Sequence, residues 1–425
     1  MKHTLILLSI AVTLQLQATS ITSLLNTLEQ RPEHRLDTLD IEKSNLGKQA
    51  VSDRLMPTVN LFGGYEIYSS PNGLLPVAPN ELIDMVRDQS IGQPFSKNIF
   101  REGVNFTWPL FVKSIYTLED RAELLHLAAK EKKKLNLLQR EAVVVGSVAQ
   151  LRYLESLKAA LAAKKRSILQ TEISTEMKVK EGRTPESAMF ILQSNINTLE
   201  INMNNIEQNI NLICSKIETL TGVALTQSLP MRLNHTVQKG EIFALKPLQI
   251  KVKASQKGVK AAEEAYIPSV VTKGNYTYSQ ADAYNNDNAL HESFGMAGIY
   301  ISMPLFDASK GTASQQAKVA YMQEKTQLDQ TAHALTVQAK QLEHQIKLLT
   351  RSVTLAKKSV SNKKRLLNIA KVSLKNEMIT QEEYLRYEDA VADAKATLYK
   401  AQAKKWQDIA QLAVIYGNDL RRIVK

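Results

Sequence analysis

A chain of 425 residues with 54 Lys and Arg against 42 Asp and Glu carries a net charge of +12, and its 16 Gly and 12 Pro are few for its length. Ala, Leu, Lys, Gln and Glu fill its long central stretches, the composition of extended helices and coiled coils. The basic runs Lys132-Lys133-Lys134 and Lys363-Lys364-Arg365 lie in helical pattern among Glu and Gln with no aromatic reading surface, so they read as solvated helix faces and no nucleic-acid partner is expected.

The chain opens with a short basic start, Met1-Lys2-His3, then a mostly apolar run from Leu5 to Leu16, then Gln17-Ala18 and polar Thr19-Ser20. About twelve apolar residues are too few to cross a bilayer and suit a secretory signal peptide over residues 1–18, cleaved after Ala18. No Cys follows the run, so no lipid attachment is expected there, and no later stretch approaches eighteen consecutive apolar residues. An exported chain without a transmembrane helix is the expectation.

Residues 21–56 predict helix. After Pro57 the pattern changes to period two: Val59, Leu61, Gly63, Tyr65 and Ile67 fall on one face, with Thr58, Asn60, Gly64 and Glu66 on the other. Ahead of Pro109, Val104, Phe106 and Trp108 face one way while Gly103, Asn105 and Thr107 face the other. Strands of about ten residues with one apolar face fit either an outer-membrane barrel wall around a wet interior or a half-buried soluble sheet. Polar loops at about 69–99 and 279–294 join the strand pairs.

From Pro109 helical pattern runs unbroken for about 65 residues, which at 1.5 Å per residue would reach roughly 100 Å. The break at Glu181-Gly182-Arg183-Thr184-Pro185-Glu186 pairs a glycine stop with a Thr-Pro restart. The return arm then steps by threes and fours through Met189, Leu192, Ile196, Leu199, Met203, Ile206, Ile210, Ile213, Ile217 and Leu220. Heptad spacing needs a partner helix, so outgoing and returning arms are expected to form an antiparallel hairpin. Within the return arm the only cysteine, Cys214, lies among Leu212, Ile213 and Ile217 and reads as a small buried hydrophobe; a single thiol provides no disulfide framework.

The same order then recurs. Residues 103–222 return at an offset of 195 as residues 298–417, Gly103 to Phe111 aligning with Gly298 to Phe306. Upstream, Gly47, Pro57, Gly63 and Tyr65 return at an offset of 211 as Gly258, Pro268, Gly274 and Tyr276. The parity is kept by Val270, Thr272, Tyr276 and Tyr278, and by Ala297, Ile299, Ile301 and Met303. The second outgoing arm carries Leu342, Ile346, Leu349, Val353, Ala356, Val360, Leu367, Ala370 and Leu374, with Lys363 out of pattern, and Tyr384, Tyr387, Val391, Ala394, Leu398 and Ala401 answer it. Its turn, Asn376-Glu377-Met378-Ile379-Thr380-Gln381, lacks Gly and Pro and is expected to bend less sharply. Self-similarity over this length means one unit used twice. The expected division is a first repeat at 19–222 (strands about 58–108, helical hairpin about 112–222), a connector at 223–245, and a second repeat at 246–425. That second repeat holds a helix at 246–267, strands at about 269–303, a hairpin at about 307–417 and a short tail.

No phosphate loop, HExxH or nucleophile elbow occurs, and the seven histidines are scattered, His333 and His344 reading as solvated helix residues. Neither an enzyme, a metal nor a cofactor is expected. Glu382-Glu383 and Glu388-Asp389 are the acidic clusters near a turn.

An exported tandem of strand, strand and long helical hairpin, with Pro57 and Pro268 opening strands and Pro109-Leu110-Phe111 and Pro304-Leu305-Phe306 closing them, resembles the TolC-type outer-membrane efflux family. The resemblance covers nearly the whole chain after residue 18. It implies a mainly α fold with β, in which a homotrimer builds one barrel from four strands per chain, continued by an α-helical barrel in the periplasm. Four strands cannot close a barrel alone, so the physics agrees. In that barrel Val59, Leu61, Val104, Phe106, Trp108, Tyr276, Ile299 and Ile301 would face lipid. The resemblance further implies an exit duct in a Gram-negative outer membrane, serving a tripartite efflux pump or type I secretion system through a periplasmic adaptor and an inner-membrane transporter. Glu382 and Glu383 fall where the family narrows its pore, although Arg386 stands where a further acid is common; both glutamates also suit an ordinary helix N-terminus. The hairpin tips, Gly182, Arg183 and Thr184 with Asn376, Glu377 and Thr380, would meet the adaptor. A periplasmic coiled-coil adaptor or scaffold is the alternative from another class.

Overall fold

The computed structural model describes residues 20–425, so the expected signal peptide lies outside the described residues. Nine α-helices and four strands are described: α1 Ile21–Asn26, α2 Pro32–Ser52, β1 Thr58–Gly73, α3 Pro79–Arg87, β2 Phe95–Phe111, α4 Lys113–Lys180, α5 Ser187–Thr221, α6 Lys246–Glu263, β3 Ser269–Asp282, β4 Ala289–Ser302, α7 Ala308–Lys375, α8 Gln381–Tyr416 and α9 Leu420–Ile423. They fall into two compact units.

One unit comprises Asp40–Lys130 and Pro247–Asp329. Its centre is a four-stranded antiparallel sheet in the order β1-β2-β3-β4, leaving β1 and β4 as edges. The strands are longer than the alternation indicated, because β1 runs on to Gly73 and β4 begins at Ala289, and the joining loops are correspondingly shorter. The first of these loops contains α3, which the polar composition concealed; Pro79 opens it, where a missing N–H costs nothing. Gly103 is required by close approach: a Cβ there would lie 2.1 Å from the Tyr276 carbonyl oxygen and 2.9 Å from the Phe62 ring. Below the sheet the helix ends are tied by Ser52 to Glu119 (2.8 Å), by Lys257 to Asp120 (2.7 Å), and by Ser44 to Nδ1 of the buried His126 (3.0 Å).

The other unit comprises the chain up to Leu39 with Glu131–Lys246 and Gln330–Lys425. Its core gathers Leu24, Leu25 and Leu28 from the start of the chain, Val144, Val145, Val148 and Leu151 from α4, Ile217 from α5, Ile409 and Ala413 from α8, and Leu420, Ile423 and Val424 from the C-terminal segment. The α5 stripe from Met189 to Leu220 is covered at every position, Ile217 fully, while Ile191, Ile201 and Leu212 beside it stand exposed. Cys214 is half-buried against the core, and burial raises its thiol pKa. On α7, Leu342, Val353, Val360 and Ala370 are buried and Lys363 is exposed, as the pattern required; on α8, Tyr387 is exposed. His333 and His344 are exposed.

Two features of this unit are not local in sequence. The backbones of Arg232 and Lys425 exchange hydrogen bonds of 2.7 and 2.9 Å, which ties the connector to the chain end. Beside them Glu141 of α4 is fully buried; its Oε2 accepts the Leu420 N–H at 3.2 Å and its Oε1 lies 3.2 Å from Arg421 Nε. Arg421 also bridges Glu29 (2.6 Å) and Asp419 (3.1 Å). Burial, reinforced by the charge of Asp419, pushes the Glu141 carboxyl up to about 7 despite Arg421.

Candidate functional site

The sheet has two chemically different faces, and pairing assigns the residues. Val59 opposes Phe106; Leu61 opposes Val104, which opposes Tyr276. Trp108 opposes Thr272, which opposes Ile299, and Val270 opposes Ile301. Residues directly opposed across antiparallel strands share a face. All eight residues expected to face lipid therefore lie on one side of the sheet. Leu61 is 84% exposed and Ile301 73%, a contiguous apolar surface that water solvates poorly. At the Pro-flanked end of this surface the Trp108 indole N–H donates to the Leu55 carbonyl at 3.1 Å, the half-apolar, half-polar arrangement that suits a membrane–water boundary.

The opposite face carries Asn60, Glu66, Arg101, Asn105, Thr107, Lys273, Asn275 and Ser279. Its organiser is Arg101, which the sequence pattern did not single out. The guanidinium pairs with Glu66 (2.8 Å), donates to Ser279 (3.2 Å), and holds the end of β1 through the carbonyls of Gly73 (2.7 Å) and Leu74 (3.1 Å). Tyr68 donates to the same Glu66 carboxylate. Period-two alternation does not announce such a network, because its members come from three strands and a loop.

The hairpin tips differ from expectation in one respect. In the first turn, the amides of Glu181, Gly182 and Arg183 bond to the carbonyls of Met177, Val179 and Lys178. The second turn repeats this through Asn376, Glu377 and Met378 on Val372, Leu374 and Ser373, each position shifted by 195. It bends as sharply as the first. Glu377, with φ +60°, takes the left-handed conformation that Gly182 holds at +72°. The sequence lacked the glycine signal, yet the surrounding hydrogen bonds impose the turn on a residue that disfavours it.

Immediately beyond, Thr380 caps α8 in a capping box: the Glu383 N–H donates to Thr380 Oγ1 at 3.2 Å, and the Thr380 N–H donates to Glu383 Oε2 at 2.9 Å. Glu382 pairs with Arg386 at 2.7 Å. Gly182, Arg183, Asn376, Glu377 and Glu383 are exposed, and Thr184 and Glu382 are partly covered. Among the described residues no group of His, Cys, Asp and Glu is arranged to hold a metal ion, and no helix is long and apolar enough to cross a membrane.

Residues 241–418 match the family described as outer membrane efflux protein. No curated protein matches the chain. Among solved structures, the outer membrane protein VceC from Vibrio cholerae is 14% identical with a TM-score of 0.69, over 94% of this chain and 96% of that one. The CmeC outer membrane channel of Campylobacter jejuni is 14% identical with a TM-score of 0.71, over 95% of this chain and 86% of that one. The open-state MtrE outer membrane channel of Neisseria gonorrhoeae is 14% identical with a TM-score of 0.69, over 95% and 90%. At such identities these similarities describe the fold, a mainly helical chain with one four-stranded sheet.

Proposed function

We propose, from the match of residues 241–418 to the outer membrane efflux protein family, that the chain is the exit duct of a tripartite efflux pump or type I secretion system. A homotrimer in a Gram-negative outer membrane would contribute three four-stranded sheets to one barrel, with the apolar face toward lipid and the Arg101 face toward a water-filled lumen. The observation that carries this reading is the sheet itself. One face is apolar along its pairs from Val59–Phe106 to Val270–Ile301, and both edges, β1 and β4, are open. Bare edges in hydrocarbon cost several kcal/mol per unsatisfied group, so the sheet is incomplete without neighbours.

The duct is passive. An inner-membrane transporter would drive it through a periplasmic adaptor that docks on the tips around Gly182–Thr184 and Asn376–Thr380. Glu382 and Glu383 of three chains would form an acidic ring at the periplasmic mouth, moderated by the pairing of Glu382 with Arg386. The division into two repeats of strands and helical hairpin, with residues 1–18 removed on export, belongs to the same proposal. Fractionation tests it: the protein is expected in outer membranes as a detergent-requiring, heat-modifiable oligomer. Recovery in the soluble periplasmic fraction would support a coiled-coil scaffold instead.

A further inference from the structure

The helical unit contains a cavity of about 560 Å³ whose charged lining has a single sign. Arg152 enters it from α4, Lys357 from α7, Lys405 from α8 and Arg232 from the connector, and neither Asp nor Glu lines it. Other cations of the same unit are paired, among them Lys158 with Glu207, Lys165 with Glu200, Lys239 with Glu343 and Lys404 with Asp408. Among the described residues the four cavity cations have no carboxylate partner. Burial and the facing charge of Lys357 lower the pKa of Lys405. Arg152 and Lys405 are partly covered, and Arg232 and Lys357 stand exposed at the rim, so the space is lined by positive charge from wall to mouth.

Two aromatic residues complete the wall. The Arg152 guanidinium lies 4.8 Å from the centre of the Tyr399 ring, which orients it without neutralising it. Trp406 backs onto the hydrophobic core and lines the same space. A volume in the range of small-molecule sites, with apolar walls and a few convergent charges, exceeds what an inorganic anion would fill.

We propose that this cavity is a binding site for an aromatic organic anion, its carboxylate, sulfonate or phosphate head held among Arg152, Arg232, Lys357 and Lys405 and its ring against Trp406 and Tyr399. The guanidiniums supply directional forks for the head group and the lysines supply charge. The site is formed within the helical unit, and its failure is distinguishable from failure of the duct reading: a neighbouring chain filling the cavity would sink the site and leave the duct intact.

The test uses the full chain purified in detergent. The sequence has two tryptophans, so Trp108→Phe leaves Trp406 as the sole indole donor. The probe is 8-anilinonaphthalene-1-sulfonate, and the control is its uncharged analogue N-phenyl-1-naphthylamine. Titration should give saturable energy transfer from Trp406 to the sulfonate, weakening with added salt, and little from the neutral dye. The paired change Lys357→Gln with Lys405→Gln should weaken the sulfonate by at least about tenfold, while Lys405→Arg retains it within about threefold. Circular dichroism on both variants checks that the helices persist; the paired change removes repulsion and should not unfold them. Equal affinity for both dyes, an unchanged affinity in the paired variant, or no saturable transfer (as when a neighbouring chain fills the cavity) would overturn the proposal.

Discussion

At the scale of single residues, the two hairpin turns are a matched experiment. They share one hydrogen-bond pattern and one backbone shape, but Gly182 supplies the left-handed residue in the first and Glu377 in the second. A left-handed L residue costs roughly 1–2 kcal/mol, which the freer unfolded chain of glycine partly offsets. Glu377→Gly should therefore tighten the second tip by about 1 kcal/mol, read as an approximately fivefold slowing of amide exchange at Glu377 and Met378. Gly182→Ala should loosen the first tip by a similar amount, since a Cβ there meets nothing within 4 Å and the penalty is conformational only. Unequal or absent effects would mean the turns are held by other contacts. Glu141 gives a second expectation. Its folded pKa of about 7 lies above the ordinary 4.5, so it stabilises the fold most fully below pH 4.5 and loses that contribution as pH rises through 7. The contribution is on the order of 3 kcal/mol. Melting of the detergent-solubilised protein should move upward between pH 7 and 5, and Glu141→Gln should flatten that dependence.

At the scale of elements, the sheet makes the sharpest distinction. Arg placed at Val104 or Ile299 should cost about 2–4 kcal/mol near a bilayer midplane, whereas Arg at Asn105 or Thr107 should be tolerated. Folding yield into lipid vesicles measures both; equal tolerance would argue for a sheet with water on both sides. Strand parity, the heptad seam and both turn positions were legible in the sequence because each is a local period or a local stop. What escaped had physical reasons. Helix α3 was hidden in a loop rich in Pro, Asn and Asp, though Leu82, Ile83 and Val86 are spaced as a helix face. The sharp second turn was missed because only glycine advertises a left-handed residue. Arg101 with Glu66, and Glu141 with Arg421, were invisible because their partners are 35 and 280 positions away and no periodicity links them.

At the scale of the whole molecule, the duct reading requires assembly, because β1 and β4 are open edges beside an exposed apolar face. Light scattering in detergent should give about three chain masses, and a stable monomer with intact strands would contradict the duct reading. The proposed acidic ring has a definite arithmetic: two glutamates less one arginine in each of three chains leaves about three negative charges. Glu382→Gln and Glu383→Gln each remove one negative charge per chain and should each raise anion permeability, and glutamine at the third helical position can still complete the capping box with Thr380. Single-channel recordings would decide, selectivity unchanged from that of the unsubstituted channel in both variants returning the pair to ordinary helix surface. A last consequence concerns inheritance. α4 and α7 are each 68 residues, and their partners α5 and α8 are 35 and 36. A heptad deleted from α4 alone would slide its arm by about 10.5 Å and leave two turns of α5 facing nothing. Insertions and deletions in these helices are therefore viable only as coordinated edits to paired arms in whole heptads, and drift in reach across lineages should come in such steps, with single-residue indels confined to the loops at the far end of the strands.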